Sequence, residues 1–252
     1  MTLATRRRPA PDATSLDAAR LDARLAALDW AALGAALDAR GYATTGPLLD
    51  PAECRALAGL YDGETGFRST VVMQRHGFGR GEYKYFARPL PPVVETLREA
   101  LYPPLAEVAN RWRDQLGEAA RFPPTLAGFL AQCHDAGQTR PTPLLLRYGS
   151  DDYNCLHQDL YGALVFPIQL TILLSDSADF AGGEFMLVEQ RPRMQSKGEV
   201  VPLQQGEAVL FAVNQRPVKG TRGVYRVAQR HGVSRVRAGR RYTLGVIFHD
   251  AA

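Results

Sequence analysis

Among five histidines, one, His157, stands two residues before an acid, Asp159. On an extended strand, side chains two positions apart project to the same face, so this imidazole and carboxylate would point together. One further ligand from elsewhere would let them cap a face of a metal ion. Two histidines with one carboxylate form the set that holds Fe(II) and leaves positions open for oxygen and a co-substrate. Taken alone the pair is equally a half-buried histidine beside a neighbouring carboxylate, and a chance match is common, so the rest of the chain must decide.

His231 lies 72 residues after Asp159 on the penultimate predicted strand. Early and late strands of a jelly roll are neighbours, which would bring it to the pair as third ligand; the plainer reading is a surface histidine in a basic segment. Arg241 follows ten residues later, with Thr243 at the same strand parity. A guanidinium facing inward requires an anionic partner, because an unpaired buried charge is very costly. Its planar fork matches a carboxylate, to which Thr243 would add a hydroxyl. Tyr148, nine residues before His157, would add a phenolic donor.

The elements that must position these residues change character near Pro143. Before it, Leu21, Leu25, Leu28 and Leu37 fall at near-helical spacing, and Gly41 is a natural stop. Tyr42 to Leu49 reads as a strand, and Asp50-Pro51-Ala-Glu53 as the capping box of a helix ending near Gly63. Arg68 to Phe86 suggests two strands, or a strand and a mobile loop, with Gly77 to Gly81 as a candidate lid. Val93 to Gln115 is helical in pattern but interrupted at Pro103-Pro104. After Pro143, short apolar runs follow closely: 144–148, 156–160, 165–175, 184–189, 200–203, 208–213, 227–233 and 242–248. Turn signals at Gly182-Gly183 and Gly206 separate them. The fold class is therefore mainly β with α: a double-sheet jelly roll behind an N-terminal helical layer. The expected organisation is a disordered tail over 1–15, a helical support region over 16–140, and the β core over 141–252, continuous with the support region.

At 252 residues and 46% apolar content the chain can bury one sizeable core. No run reaches the roughly 18 apolar residues of a membrane span, and the first residues lack the apolar region of a secretory signal, so a cytoplasmic protein without membrane partners is expected. Three scattered cysteines exclude a disulfide framework; Cys155 shares the parity of His157 and is read as packing. The net charge is +4, but Arg216 to Arg241 holds nine basic residues and no acid. Such a tract attracts anions, nucleic acid among them. Tyr83, Tyr85 and Phe86 offer stacking faces or, on the preferred reading, the core side of an edge strand. His76, His134 and His249 have no partner spacing, and His249, ending the last strand, is expected to be exposed.

The order Tyr148, His157-x-Asp159, Gly182-Gly183-Glu184, Gly206-Glu207, His231 and Arg241-x-Thr243 resembles the Fe(II)- and 2-oxoglutarate-dependent dioxygenases. Its spacing and the segment Gly239 to Leu244 are most similar to the prolyl-4-hydroxylase-like branch, over about 142–249. The resemblance implies a double-stranded β-helix with His157, Asp159 and His231 on iron. It implies 2-oxoglutarate as co-substrate, held by Arg241, Thr243 and Tyr148, with O2 consumed and ascorbate as a reductant. Where such proteins often carry a second tyrosine, this chain has Leu173, with Gln169 and Thr171 at the same parity. More narrowly, His157 to Gly162 and Glu189 to Ser196 resemble a bacterial oxygenase subgroup labelled for oxidative demethylation of alkylated DNA. Alternatives left open are hydroxylation of a protein side chain or small metabolite, and a non-catalytic jelly-roll binding module. Oligomeric state is not legible.

Overall fold

The computed structural model describes residues 18–221 and 223–252; the tail expected over 1–15 lies outside them. Helices α1 (Ala18–Ala26) and α2 (Trp30–Arg40) lead into β1 (Tyr42–Pro47). Gly41 closes α2 at a φ of 77°, the left-handed turn that favours glycine. Helix α3 (Pro51–Gly59) opens with the expected capping box: Asp50 accepts from the Ala52 and Glu53 amides, and Glu53 accepts from the Asp50 amide. Then come β2 (Phe67–Val72), β3 (Gly79–Arg80), β4 (Glu82–Phe86), α4 (Pro92–Gln115) and α5 (Leu126–Asp135).

The remainder is almost wholly strand: β5 (Leu144–Tyr148), β6 (Tyr153–His157), β7 (Ile168–Leu173), β8 (Phe180–Gly182), β9 (Phe185–Gln190) and β10 (Lys197–Val201). There follow β11 (Glu207–Ala212), β12 (Gln215–Gly220), β13 (Gly223–Val233), β14 (Val236–Gly239) and β15 (Arg241–Val246). A larger sheet has the order β1-β11-β7-β15-β5-β4-β2, and a smaller one the order β10-β9-β13-β6-β3, with β12 paired to β13 and a separate β8-β14 ribbon. Strands from both sides of residue 140 thus share each sheet. The two antiparallel sheets form the expected jelly roll.

The period-2 alternation of the larger sheet creates the site. Leu145, Leu170, Ile172, Leu244, Val246 and Phe248 point outward into one core with α4 and α5. Their neighbours Leu144, Leu146, Tyr148, Gln169, Thr171, Thr243, Gly245 and Ile247 line a cavity of about 380 Å3 between the sheets.

Four sequence expectations are corrected here. Helix α4 runs unbroken through Pro103-Pro104; its buried face, including Leu97, Leu101, Tyr102 and Leu105, offsets the roughly 3 kcal/mol that an interior proline costs. The strand expected over 156–160 is instead Tyr153–His157. Strand β4 is internal rather than an edge, paired with both β2 and β5. His249 is fully buried, because the segment after β15 turns inward to meet α4 and α5; there burial lowers its pKa to about 4.

Candidate metal centre

Strand pairing assembles the centre. β13 runs antiparallel to β6 with His231 directly opposite His157, and their ring centroids stand 4.1 Å apart. Asp159 lies two residues beyond the end of β6, so the same-strand argument for the pair does not hold; the turning chain still returns its carboxylate between the two rings. Oδ1 is 3.4 Å from His157 Nε2, and Oδ2 is 3.3 Å from His231 Nε2. The ligating atoms of His157, Asp159 and His231 all lie within 4.8 Å of one another.

Second contacts fix the chemistry of each ligand. His157 Nδ1 is 2.8 Å from the Cys155 carbonyl; a carbonyl only accepts, so Nδ1 carries a proton and Nε2 is the ring nitrogen that faces the centre. Asp159 accepts from Tyr161 Oη at 2.5 Å on Oδ1 and from Gln169 Nε2 at 2.7 Å on Oδ2. Burial pushes the Asp159 carboxyl up, but the hydrogen bond from His157 and the charge of His231 outweigh it and hold the group well below the usual carboxylate range. At His157 burial acts downward, yet Asp159 leaves the imidazole above its ordinary value; His231, fully enclosed, is lowered first by burial and then by His157. Two imidazoles and one anionic carboxylate converging in a buried space fit a divalent metal.

A second buried polar group stands at the start of β15. Arg241 pairs in register with Tyr148 across β15 and β5, and Arg241 is 2% exposed. Its Nε and Nη1 are buried with no hydrogen-bond partner, and burial lowers its pKa to about 10. The guanidinium carbon stands 5.8 Å from the Tyr148 ring centroid and 5.9 Å from that of Phe180. Gly183, at a φ of 66°, leaves it room: a Cβ there would approach Arg241 Cδ to 2.8 Å. An enclosed guanidinium with idle donors fits the carboxylate of an organic acid. Leu173 faces Thr243 across the strands and is buried, while Gln169 and Thr171 reach the cavity.

The structure brings together His157, Asp159 and His231 at one part of the cavity, and Tyr148 and Thr243 line it too. Tyr161 was not foreseen as part of the site, although its position two residues after Asp159 was a usable signal. Gln169 was noticed, but for the co-substrate rather than for Asp159. Cys155 is exposed and lines the cavity, contrary to the packing reading.

The basic tract is largely spent internally. Arg216 is buried against Glu189 at 2.5 Å, Arg226 meets Glu118 at 2.7 Å, Arg235 meets Asp151 at 3.1 Å and Arg237 meets Glu184 at 3.4 Å. Arg226, Arg235 and Arg237 are nonetheless exposed, as are Lys219, Arg230 and Arg240; Arg222 lies outside the described residues.

Two uncharacterized proteins of Mycobacterium tuberculosis strains are each 53% identical over 168 residues, covering 66% of this chain and 72% of theirs. A Trichoplax adhaerens prolyl hydroxylase, solved with a hypoxia inducible factor peptide fragment, superposes with a TM-score of 0.52 at 14% identity, covering 93% of this chain and 94% of its own. A Burkholderia pseudomallei oxidoreductase of the 2OG-Fe(II) oxygenase family gives 0.50 at 18% identity, covering 90% and 94%. These structures share the fold. Residues 81–251 match the model of Oxygenase-NA, described as an oxygenase catalysing oxidative methylation of damaged DNA. That match spans well over half of the chain and the whole of the His157, Asp159 and His231 centre, and the chain belongs to this oxygenase family.

Proposed function

We propose that the protein is an Fe(II)- and 2-oxoglutarate-dependent dioxygenase acting on alkylated nucleic acid. The observation that carries the co-substrate assignment is the buried, unpartnered guanidinium of Arg241, on the strand whose Thr243 lines the same cavity as the triad. The family description supports a nucleic-acid substrate.

In this reading His157, Asp159 and His231 hold the iron, and Tyr161 and Gln169 keep the carboxylate turned toward it. Arg241 binds the far carboxylate of 2-oxoglutarate with the Thr243 hydroxyl and the Tyr148 phenol beside it. Iron, O2 and 2-oxoglutarate together supply the oxidation: the keto acid leaves as succinate and CO2 with one oxygen atom of O2, and the other is inserted into a substrate C–H bond. Leu144, Leu146, Val233 and Ile247 make an apolar wall that excludes water from the reacting carbon. Hydroxylation of an N-methyl group leaves an N-hydroxymethyl adduct, which loses formaldehyde and restores the base. A buried target atom cannot be reached within a duplex, so the base enters from a single strand or flipped out of one.

The test is succinate release by purified protein given Fe(II), ascorbate and 2-oxoglutarate, with methylated or unmethylated single-stranded DNA. A strong rise with the methylated strand alone is expected. Release indifferent to DNA would keep the dioxygenase and transfer the substrate to proteins or metabolites. No release from iron-loaded protein would overturn the enzyme assignment in favour of a binding module.

A further inference from the structure

Between β2 and β3, the turn Met73–His76 and Gly77 lead to an aromatic side chain that neither the fold nor the oxygenase chemistry uses. Phe78 is 48% exposed, lies at the lining of the catalytic cavity, and carries the His76 ring on it, with centroids 5.3 Å apart and planes inclined by 22°. Arg75 and Arg80 flank the pair, both exposed. Arg80 makes only a 3.8 Å approach to Asp152, and Arg75 has no partner among the described residues.

The ring is not on a loose loop. The Phe78 amide donates to the Met73 carbonyl at 3.1 Å, and the Phe78 carbonyl accepts from the Cys155 amide at 2.9 Å. Gly79 and Arg80 pair with Asn154 and Tyr153 of β6. That approach requires glycine, since a Cβ on Gly79 would come within 2.3 Å of the Tyr153 carbonyl. Met73 anchors the other end in a buried cluster with Tyr148, Val233 and Val236. Phe78 is therefore clamped to the strand that ends in His157, at a set distance from the metal centre.

The surroundings select the partner. β3 is a sheet edge of two residues, too short to dock an extended peptide by strand addition. A flat ring pair with an exposed arginine close to it in sequence on each side suits bases and phosphates. A cavity of about 380 Å3 is at the small end for ligand sites, so it takes the co-substrate and a single base and leaves the adjacent base outside. We propose that Phe78, backed by His76, stacks the nucleotide next to the reacting base of a single strand, with Arg75 and Arg80 on the neighbouring phosphates. This rests on the nucleic-acid reading above.

The experiment uses a short single-stranded oligonucleotide with one methylated base, 2-aminopurine beside it and a terminal fluorescein. Binding is read by anisotropy and stacking by 2-aminopurine quenching. Wild-type protein is expected to bind and to quench. Phe78→Ala should weaken binding about 5- to 100-fold, the usual worth of one stacked base, and remove the quenching, with the melting temperature unchanged because the side chain is exposed. Phe78→Trp should restore both. Arg75→Gln should lower the slope of log affinity against log salt by about 0.7. Binding by wild type with neither quenching nor a loss in Phe78→Ala would overturn the platform and leave the nucleic-acid reading standing. No binding and no succinate stimulation by the methylated strand would overturn that reading and the platform with it.

Discussion

At the scale of single residues, the proposed function assigns metal binding and co-substrate binding to different side chains, and substitutions should separate them. His157→Ala removes one of three ligands and should abolish stoichiometric Fe(II) binding, read by titration, and succinate release, while the chain stays folded; a variant with full activity would refute the triad. Arg241→Ala should leave iron bound but raise the 2-oxoglutarate requirement by roughly 10- to 100-fold, the worth of a charge-assisted pair; an unchanged requirement would remove Arg241 from that role. Tyr161→Phe deletes the 2.5 Å bond to Asp159 and should weaken metal affinity about 10-fold, the usual consequence of losing a contact that orients a ligand. His157, Asp159, His231 and Arg241 were legible because their residue types are costly to bury without a purpose and they recur in a recognisable order. Tyr161, two residues after Asp159, carried a signal of position only: its residue type is ordinary and does not say that its hydroxyl ends on the Asp159 carboxylate. Asp159 reached the site by a turn, where strand parity has no force.

At the scale of elements, register carries the function. Short apolar runs separated by turn signals anticipated β5 without error and β7, β9, β11, β13 and β15 to within a few residues. It missed β8, β12 and β14, which are short or lack an apolar face; β12 contains Pro217 and holds its buried Arg216 by an ion pair with Glu189. No local pattern announced the burial of Arg216. The same dependence on register makes Gly183, beside Arg241, a sensitive position. Gly183→Ala would place a Cβ 2.8 Å from Arg241 Cδ and 2.9 Å from Val236 Cγ2, at a φ of 66°. It should therefore displace the guanidinium and raise the KM for 2-oxoglutarate while leaving Fe(II) affinity as in wild type. Equal losses of both would mean that β8 and β14 support the metal centre directly.

At the scale of the whole molecule, the jelly roll must be held against its helical layer, and one carboxylate does much of this. Asp250 is fully buried just after β15, and meets Arg88 at 2.6 Å, His134 Nε2 at 2.9 Å and Arg98 at 3.3 Å. Arg98 reaches it from α4, where Arg98 Nη2 also donates to the Phe248 carbonyl at 3.0 Å, and His134 reaches it from α5. The sequence gives no hint of this hub, because its members are far apart in the chain. Burial raises the Asp250 carboxyl, but the His134 hydrogen bond and the Arg98 charge outweigh it and hold it below its ordinary value. A carboxyl lowered in the native state contributes stability that is fully present above its unfolded pKa of about 3.9 and lost as pH falls through the native value. Asp250→Asn should accordingly destabilise the protein by about 3–5 kcal/mol near neutrality, the cost of leaving a buried partner charge uncompensated. The gap between wild type and variant in urea unfolding should narrow as pH is lowered below about 4, where the unfolded carboxyl takes up its proton while the native one is still ionised. A gap that stayed constant from neutrality to acid would show that Asp250 acts through packing and neutral hydrogen bonds, and that the helices are fastened to the barrel by their apolar faces alone.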